Sequence, residues 1–416
     1  MNLHFIGIGG IGISALAQFC APRGDNISGS DVQDSSILEK LRKKNFKIFL
    51  THDEKNIPKN TDTIIFTEAI SPNNPELVWA KKNNLPVFSY FEYLGQISKK
   101  FKTIAVAGTH GKTTTTGLLA SGFLQTNFAP TVIIGSELKI FGNSNFYSGK
   151  NNFLLVEACE YRNNFRFLTP EIVLLTSVTF DHPDFYKDED HYLGTFRIFC
   201  EKAKTVIFHT NDKNAQLILK NFSGQKIMVP SEQNIDINLY GQKNKENAML
   251  AFSCAKLLNL DEKKFLAGLK NFSGASRRQE FLGEKNGIKI FDDYGHHPVE
   301  IKTTLQAFRE KFPEKKIGLI FEPHQFSRTK KFFDEFLSSF DYADEIGLHP
   351  IYEARDSEDD KLSINLKNFI QKNPKIKKIE TINDAENFFK KFYKGDVLIF
   401  MGAGVISDFA KKFMKK

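Results

Sequence analysis

Apolar runs of strand length alternate with amphipathic stretches of helical spacing from one end of the chain to the other. That alternation predicts βαβ units and sheets of parallel strands, an α/β fold. The first block opens with a strand over 3–8, followed by a helix from about Ile11 and strands at 27–30 and 63–66. A second block begins with a strand at 103–107, a glycine turn and a helix over 112–125. Buried strands at 153–157 and 172–176 and a helix near 247–258 complete it. The polar turn Ser273-Gly274-Ala275-Ser276 then reads as a hinge. In the third block strands are expected at 288–292, 317–321 and 397–401. Phe332, Phe333, Phe336, Leu337 and Phe340 recur there at helical spacing, which marks them as core packing and not a ligand box. The pattern divides the chain into domains at 1–98, 99–276 and 277–416.

Composition narrows the class. A chain of 416 residues exceeds one ordinary core, so two or three domains are expected. Hydrophobic residues at 41% and charged residues at 25% fit a globular protein and exclude a disordered or fibrous one. No apolar stretch approaches the roughly 20 residues of a membrane span, so no membrane insertion is expected. Met1 to Gly7 lack a basic segment and an apolar core, so no signal peptide is read and the location is cytoplasmic. Cys20, Cys159, Cys200 and Cys254 form no CxxC pair, which fits a reducing compartment. The net charge of +8 raises nucleic acid as a partner. The lysines are scattered among phenylalanines and asparagines without a compact run, so a solvated basic surface is expected and nucleic acid is not.

Gly108-Thr109-His110-Gly111-Lys112-Thr113-Thr114 lies between a predicted strand and a predicted helix. Glycines there let the backbone turn tightly, so that its N–H groups face a phosphate at the helix N-terminus. Lys112 would reach the β- and γ-phosphates of a nucleotide, and the Thr113 hydroxyl would ligate Mg2+. The full Walker spacing is not met, because Val106 stands where its first glycine belongs. A plain glycine turn is the bland reading, but it leaves the lysine and threonine unexplained. An ATP or GTP site is therefore expected. Glu157 ends one predicted strand and Asp181-His182 follow another, at the edge where α/β sheets bind ligands. Together with Thr113 they would hold Mg2+; taken singly, Glu157 could be a helix cap and His182 a satisfied loop histidine.

Gly7, Gly9 and Gly12 satisfy GxGxxG after a strand, with Asp31 about twenty residues further on, as a dinucleotide fingerprint asks. Read alone, this block is a NAD-binding domain and the chain a dehydrogenase. That reading leaves the phosphate loop, Glu157, His182 and the third block without a purpose. A regulatory nucleotide switch is another class, and the His/Arg cluster of the third block speaks against it.

The phosphate loop, Glu157-Ala158-Cys159-Glu160-Tyr161 and Phe180-Asp181-His182-Pro183-Asp184 together resemble the central domain of the Mur ligases. The runs Asp292-Asp293-Tyr294-Gly295-His296-His297-Pro298 and Pro323-His324-Gln325-Phe326-Ser327-Arg328-Thr329 are similar to the alanine-adding branch of that family. The opening His4 to Gly12 and the closing Met401-Gly402-Ala403-Gly404 fit the same branch, so the resemblance runs nearly end to end.

The resemblance implies three α/β domains: an N-terminal Rossmann-like domain, a central P-loop ATPase-type sheet and a C-terminal Rossmann-like domain. It implies an ATP-dependent ligase of peptidoglycan precursor synthesis that adds L-alanine to the carboxylate of UDP-N-acetylmuramate through an acyl phosphate, with ATP and Mg2+. Its partners are then those small molecules, and the protein a monomer or weak homodimer. By similarity Gly108 to Thr114, Asn244, Arg277 and Asp292 contact ATP, with Asn244 reading adenine and the last two reaching across the domain junction. Thr113, Glu157 and His182 hold metal. Lys112, His182, His324 and Arg328 are the catalytic candidates, and His296 or His297, His324 and Arg328 take the amino acid. A glycine turn at a helix N-terminus binds any pyrophosphate. Gly9, Gly10, Ser30 and Asp31 therefore fall to the UDP sugar, and His52 and Ser71 are expected to line the same pocket. Cys159 stands where many relatives carry aspartate, Gln325 where many carry arginine, and Ser177 where asparagine is usual. A relative that attaches a tripeptide to the same nucleotide sugar shares the first two domains and stays as the alternative within the family.

Overall fold

The computed structural model describes residues 1–183, 185–231, 235–354 and 356–415. The chain forms two compact units, one from 1–237 and 246–273, the other from 238–245 and 274–416.

The first unit holds two sheets. Strands β1 (Asn2–Ile6), β2 (Asn26–Ser30), β3 (Lys47–Phe49), β4 (Thr63–Phe66) and β5 (Val87–Ser89) pair in parallel in the order β3-β2-β1-β4-β5. The expected strand over 3–8 ends at Ile6, because Gly7 turns the chain with φ at +77°. Seven further strands form the second sheet: β6 (Lys102–Ala107), β7 (Thr131–Leu138), β8 (Ser144–Tyr147), β9 (Phe153–Glu157), β10 (Pro170–Leu175), β11 (Thr205–His209) and β12 (Gln225–Val229). Their order is β12-β11-β10-β6-β9-β7-β8, with β7 and β8 antiparallel. Chain direction across the sheet reverses at β6, the position at which such sheets bind ligands.

One hydrophobic cluster serves both sheets of this unit. Leu3, Phe5, Leu16 and Phe19 belong to the same packed set as Phe146, Leu154, Val156 and Phe199. Phe19 of the helix Ile11–Cys20 sits edge-on to Phe101 and Phe146 at 6.1 and 6.3 Å. The same helix is tied by polar contacts: Gln18 Nε2 donates to Asn145 Oδ1 at 2.8 Å, and Asn145 Nδ2 donates to Ser14 Oγ at 2.9 Å. Both amides are buried, where an unmade bond would cost about 1–3 kcal/mol.

The second unit carries β13 (Glu280–Lys285), β14 (Ile288–Asp293), β15 (Ile317–Phe321), β16 (Glu345–Leu348), β17 (Ile376–Lys378) and β18 (Val397–Met401), in the order β13-β14-β18-β15-β16-β17. Only β13 runs antiparallel, paired to β14 at the edge. Leu319, Phe321, Ile399 and Met401 feed one cluster, while Ile320, Leu398 and Phe400 feed another. Both faces of the sheet are therefore covered, which is why these strands read as unbroken apolar runs. The expected phenylalanine helix is two short helices, Phe326–Lys331 and Phe333–Ser339, that meet at Phe332. Phe336 and Phe340 are fully buried, and Phe332, Phe333 and Leu337 pack against them.

Candidate active site

Strand β6 delivers its loop to the N-terminus of the helix Lys112–Gln125. Gly108 has φ at +135°, and a Cβ there would lie 2.2 Å from Thr176 Oγ1. Gly111 has φ at +87°, and its missing Cβ would stand 2.7 Å from Asn247 Oδ1. Both glycines are thus required by backbone conformation and by space. Thr109 N donates to Ser177 O, and His110 N donates to Ser177 Oγ at 3.2 Å, so Ser177 braces the loop. Thr109 Oγ1 bonds Thr179 O and the Tyr192 hydroxyl. Thr114 is half-buried in the first helical turn.

Lys112 folds back over the loop. Its Nζ donates to Gly108 O at 2.6 Å and Thr109 O at 3.0 Å, and lies 2.8 Å from Glu160 Oε2. Burial alone would lower the ammonium's pKa, but Glu160 beside it more than offsets this and the net shift is upward. The Glu160 carboxyl is pushed up by burial and pulled further down by Lys112 and His182, so it stays ionised. His182, with φ at +57°, places Nε2 3.3 Å from Glu160 Oε1. One residue along the helix from Lys112, Thr113 Oγ1 donates to Glu157 Oε2 at 3.0 Å, and Glu157 Oε1 accepts from Gly135 N at 2.9 Å. The Cys159 thiol is pushed up to about 12 by burial, with Glu160 adding to it, so it presents no anion where an aspartate would. Glu160 and Asn247 are residues at this loop to which motif reading gave no role. Asn247 stands one helical turn beyond Asn244 on the helix Gln242–Leu257, and that spacing was the available signal.

In the first sheet Gly10 caps the helix Ile11–Cys20, and Gly9 N donates to Asp31 Oδ2 at 2.9 Å. Ser30 Oγ lies 3.0 Å from His52 Nδ1, and both bond the buried carboxylate of Glu76. Ser71 Oγ accepts from Asn73 N within its own turn.

The second unit gathers the remaining candidates. Arg277, with φ at +60°, donates from Nη2 to Gly402 O at 2.6 Å, and its Nε lies 3.8 Å from Asp292 Oδ2. Asp292 is wholly buried and accepts from Ser407 Oγ at 2.5 Å. Burial raises its pKa, against the pull of Ser407 and Arg277. Asn244 Nδ2 donates to Tyr240 O at 2.7 Å. His296 and His324 stand together with ring centres 5.7 Å apart, and His324 stacks on Tyr352 at 5.4 Å. His297 turns elsewhere: its Nδ1 accepts from Val299 N as the cap of the helix Pro298–Lys311, and its ring packs on Phe332 at 4.9 Å. Arg328 is buried on the helix after His324. Gln325, at φ +72°, ties that helix to Tyr352 and Ala354.

Three family models match the chain: "Mur ligase family, catalytic domain" over 2–102, "Mur ligase middle domain" over 106–231, and "Mur ligase, glutamate ligase domain" over 277–404. The UDP-N-acetylmuramate–L-alanine ligase of Clostridium acetobutylicum is 37% identical, with 100% of this chain and 98% of that one covered. Its namesake from Clostridium beijerinckii is 35% identical over 100% of this chain and 97% of its own. The chain belongs to the Mur ligase family. Among solved structures, the UDP-N-acetylmuramate-alanine ligase of Thermotoga maritima superposes with a TM-score of 0.85 at 25% identity, covering 100% of this chain and 98% of that one. A murein peptide ligase from Psychrobacter arcticus shares the fold, with a TM-score of 0.75 at 20% identity and the same coverage. As a Mur ligase the protein is an ATP-dependent ligase with a three-domain α/β architecture. The dehydrogenase reading falls with the family shown, and the glycine turn behind it serves other pyrophosphates equally. Among the described residues, no helix of this Mur ligase is long and apolar enough to cross a membrane.

Proposed function

We infer that this Mur ligase joins L-alanine to the carboxylate of UDP-N-acetylmuramate, for peptidoglycan precursor synthesis. The observation that carries the reading is 37% identity, spread over the whole of both chains, to an enzyme named for that reaction. The chemistry has two stages. A carboxylate is a poor electrophile, so ATP first transfers its γ-phosphoryl group to a carboxylate oxygen, giving an acyl phosphate and ADP. The amine of L-alanine then attacks the acyl carbon, and phosphate leaves through a tetrahedral intermediate.

Lys112 supplies the cation at the loop, once its ammonium leaves the carbonyls of Gly108 and Thr109 for the phosphates. The backbone of residues 108–114 cradles the same group. Thr113 Oγ1 and Glu157 Oε2, 3.0 Å apart, are hard oxygen donors that fit Mg2+, which takes one or two protein ligands beside water and phosphate. Bound there, the ion would supply charge neutralisation at the phosphates. His182 would join in holding metal only when its Nε2 releases Glu160. On the second unit, His296, His324 and Arg328 offer donors for the alanine carboxylate and the oxyanion. His297, spent on its helix cap, is the weaker of the two adjacent histidines for that task. Asn244, Arg277 and Asp292 are read as ATP contacts, and Gly9, Gly10, Ser30, Asp31, His52 and Ser71 as the nucleotide-sugar side. The four unpaired cysteines fit a reducing cytoplasm, and a monomer or weak homodimer is proposed.

A phosphate-release assay with ATP, Mg2+ and UDP-N-acetylmuramate tests the reading. Release that depends on L-alanine is expected. Dependence on a tripeptide instead would assign the recycling reaction.

A further inference from the structure

Glu76 sits in the first turn of the helix Pro75–Lys82 with no exposed surface, and side chains from four other parts of the first domain converge on it. His4 Nε2 and Asn56 Nδ2 each lie 3.3 Å from Oε1. Ser30 Oγ donates to Oε2 at 2.5 Å, and His52 Nδ1 lies 3.0 Å from the same oxygen. A carboxylate this deeply buried would normally hold its proton; here the bonds from His4, Ser30 and His52 outweigh burial and keep it ionised. An ionised carboxylate only accepts, so every partner must donate. His4 donates from Nε2 and takes the Ser28 hydroxyl, 2.9 Å away, at Nδ1. Ser30 gives up its one proton. His52 must carry its proton on Nδ1, and in the neutral ring this leaves Nε2 with a lone pair.

That Nε2 makes no hydrogen bond to the described residues, on a side chain 16% exposed. The ring thus has an inner edge fixed against Ser30 and Glu76 and an accepting outer edge. We propose that Glu76 is a positioning residue for the nucleotide, holding Ser30 and the His52 ring so that His52 Nε2 accepts from an N–H or O–H donor of the nucleoside. The proposal rests on the assignment of this domain to UDP-N-acetylmuramate. It gives that site a directional reader, where the glycine turn alone would take any pyrophosphate.

Glu76→Gln is the test, because it keeps size and shape while reversing the polarity of one oxygen. The amide oxygen still receives His4 and Asn56, but the NH2 group donates to His52 Nδ1 and drives the ring proton to Nε2. Nitrogen-15 NMR of the full chain should show His52 protonated at Nδ1 in the wild type and at Nε2 in the variant. The KM for UDP-N-acetylmuramate should rise tenfold or more, with kcat and the KM values for ATP and L-alanine within twofold of wild type. Calorimetry on the wild type with UDP, its 3-methyluracil analogue and its dideoxyribose analogue then separates base from ribose as the donor. Weakened binding of one analogue names it; equal binding of all three overturns the proposal. So does a wild-type His52 protonated at Nε2, a measurement that needs no variant to fold. An unchanged KM, or a variant impaired for every substrate alike, would reduce Glu76 to a structural part. A wild-type enzyme inactive on UDP-N-acetylmuramate would instead refute the substrate assignment, and the NMR result would still decide the geometry of Glu76.

Discussion

Replacing Lys112 by alanine separates what the loop cation does for folding from what it does for catalysis. The lysine side chain is 17% exposed and that of Glu160 4%, and their charged atoms lie 2.8 Å apart. Truncation strands an ionised carboxylate in a buried site, with His182 as the neighbour still able to offer a proton. Breaking a buried pair from one side costs about 3–5 kcal/mol. The His182 ring, 3.3 Å from the same carboxylate, relieves part of this, so a loss of about 3 kcal/mol is expected. Adding Glu160→Gln removes the stranded charge and should return stability to within about 1 kcal/mol of wild type. Turnover should not return. A preorganised donor at a developing charge is worth about 3–4 kcal/mol, so kcat should fall by roughly 10²- to 10³-fold in the single and the double variant alike. Urea denaturation without ligands reads the first quantity, and initial rates of phosphate release at saturating substrates read the second. A single variant as stable as wild type would refute the buried-pair argument. A double variant that regains turnover would refute the assignment of Lys112 to phosphate.

Thr113→Val and Glu157→Gln should each move the Mg2+ dependence of the rate to at least tenfold higher concentration, and an unshifted titration of either would remove that residue from the metal site. His296→Ala or His324→Ala should raise the KM for L-alanine, whereas His297→Asn, which keeps a capping side chain, should leave it within twofold; the reverse order would reassign the pair. Asp293 is pushed up to about 6 by burial, against backbone bonds from Gln279 and Gly295. Between about pH 4 and 6 the native state then keeps a proton that the unfolded chain has released, so its contribution to stability falls by up to about 3 kcal/mol as pH rises through that window and is level above it. The difference in urea-derived stability between wild type and Asp293→Asn should show this slope, and a flat difference would contradict the buried titration.

Strands β1, β4, β6, β9, β10, β14, β15 and β18, all inner members of their sheets, were readable because burial on both faces leaves them as apolar runs. Edge strands were not. β13 is Glu-Phe-Leu-Gly-Glu-Lys, charged and half exposed along its length, and β8 is the four-residue Ser-Asn-Phe-Tyr. The antiparallel pairs at two sheet edges escaped for the same reason, since parallel alternation predicts neither. Motif reading reached Lys112, Thr113 and Glu157, whose residue types and spacing state their chemistry. It did not reach Glu76, because a glutamate in a first helical turn looks like a partner for the helix dipole until distant segments are folded onto it. Nor could it see the left-handed backbone at His182, Arg277 and Gln325. None of these residue types announces a positive φ, yet each sits among the candidate site residues.

The second unit borrows eight residues, 238–245, from the middle of the first unit's sequence. Chain therefore passes between the units three times, near 237, 245 and 273. The borrowed peptide is well fastened: the Tyr240 ring packs on Phe308 at 5.4 Å, on Phe312 at 5.8 Å and on Phe291 at 6.3 Å, and Asn244 Nδ2 reaches Gln279 Oε1 at 3.3 Å. A protease that nicks the turn at Ser273–Ser276 consequently does not release the carboxyl-terminal piece. The larger fragment keeps the peptide on which the smaller one has built part of its interior, so the nicked protein runs as one species on a sizing column and parts only in denaturant. Expressed as two separate chains divided at that turn, the halves should find each other by the same peptide, which makes the enzyme a natural candidate for fragment complementation.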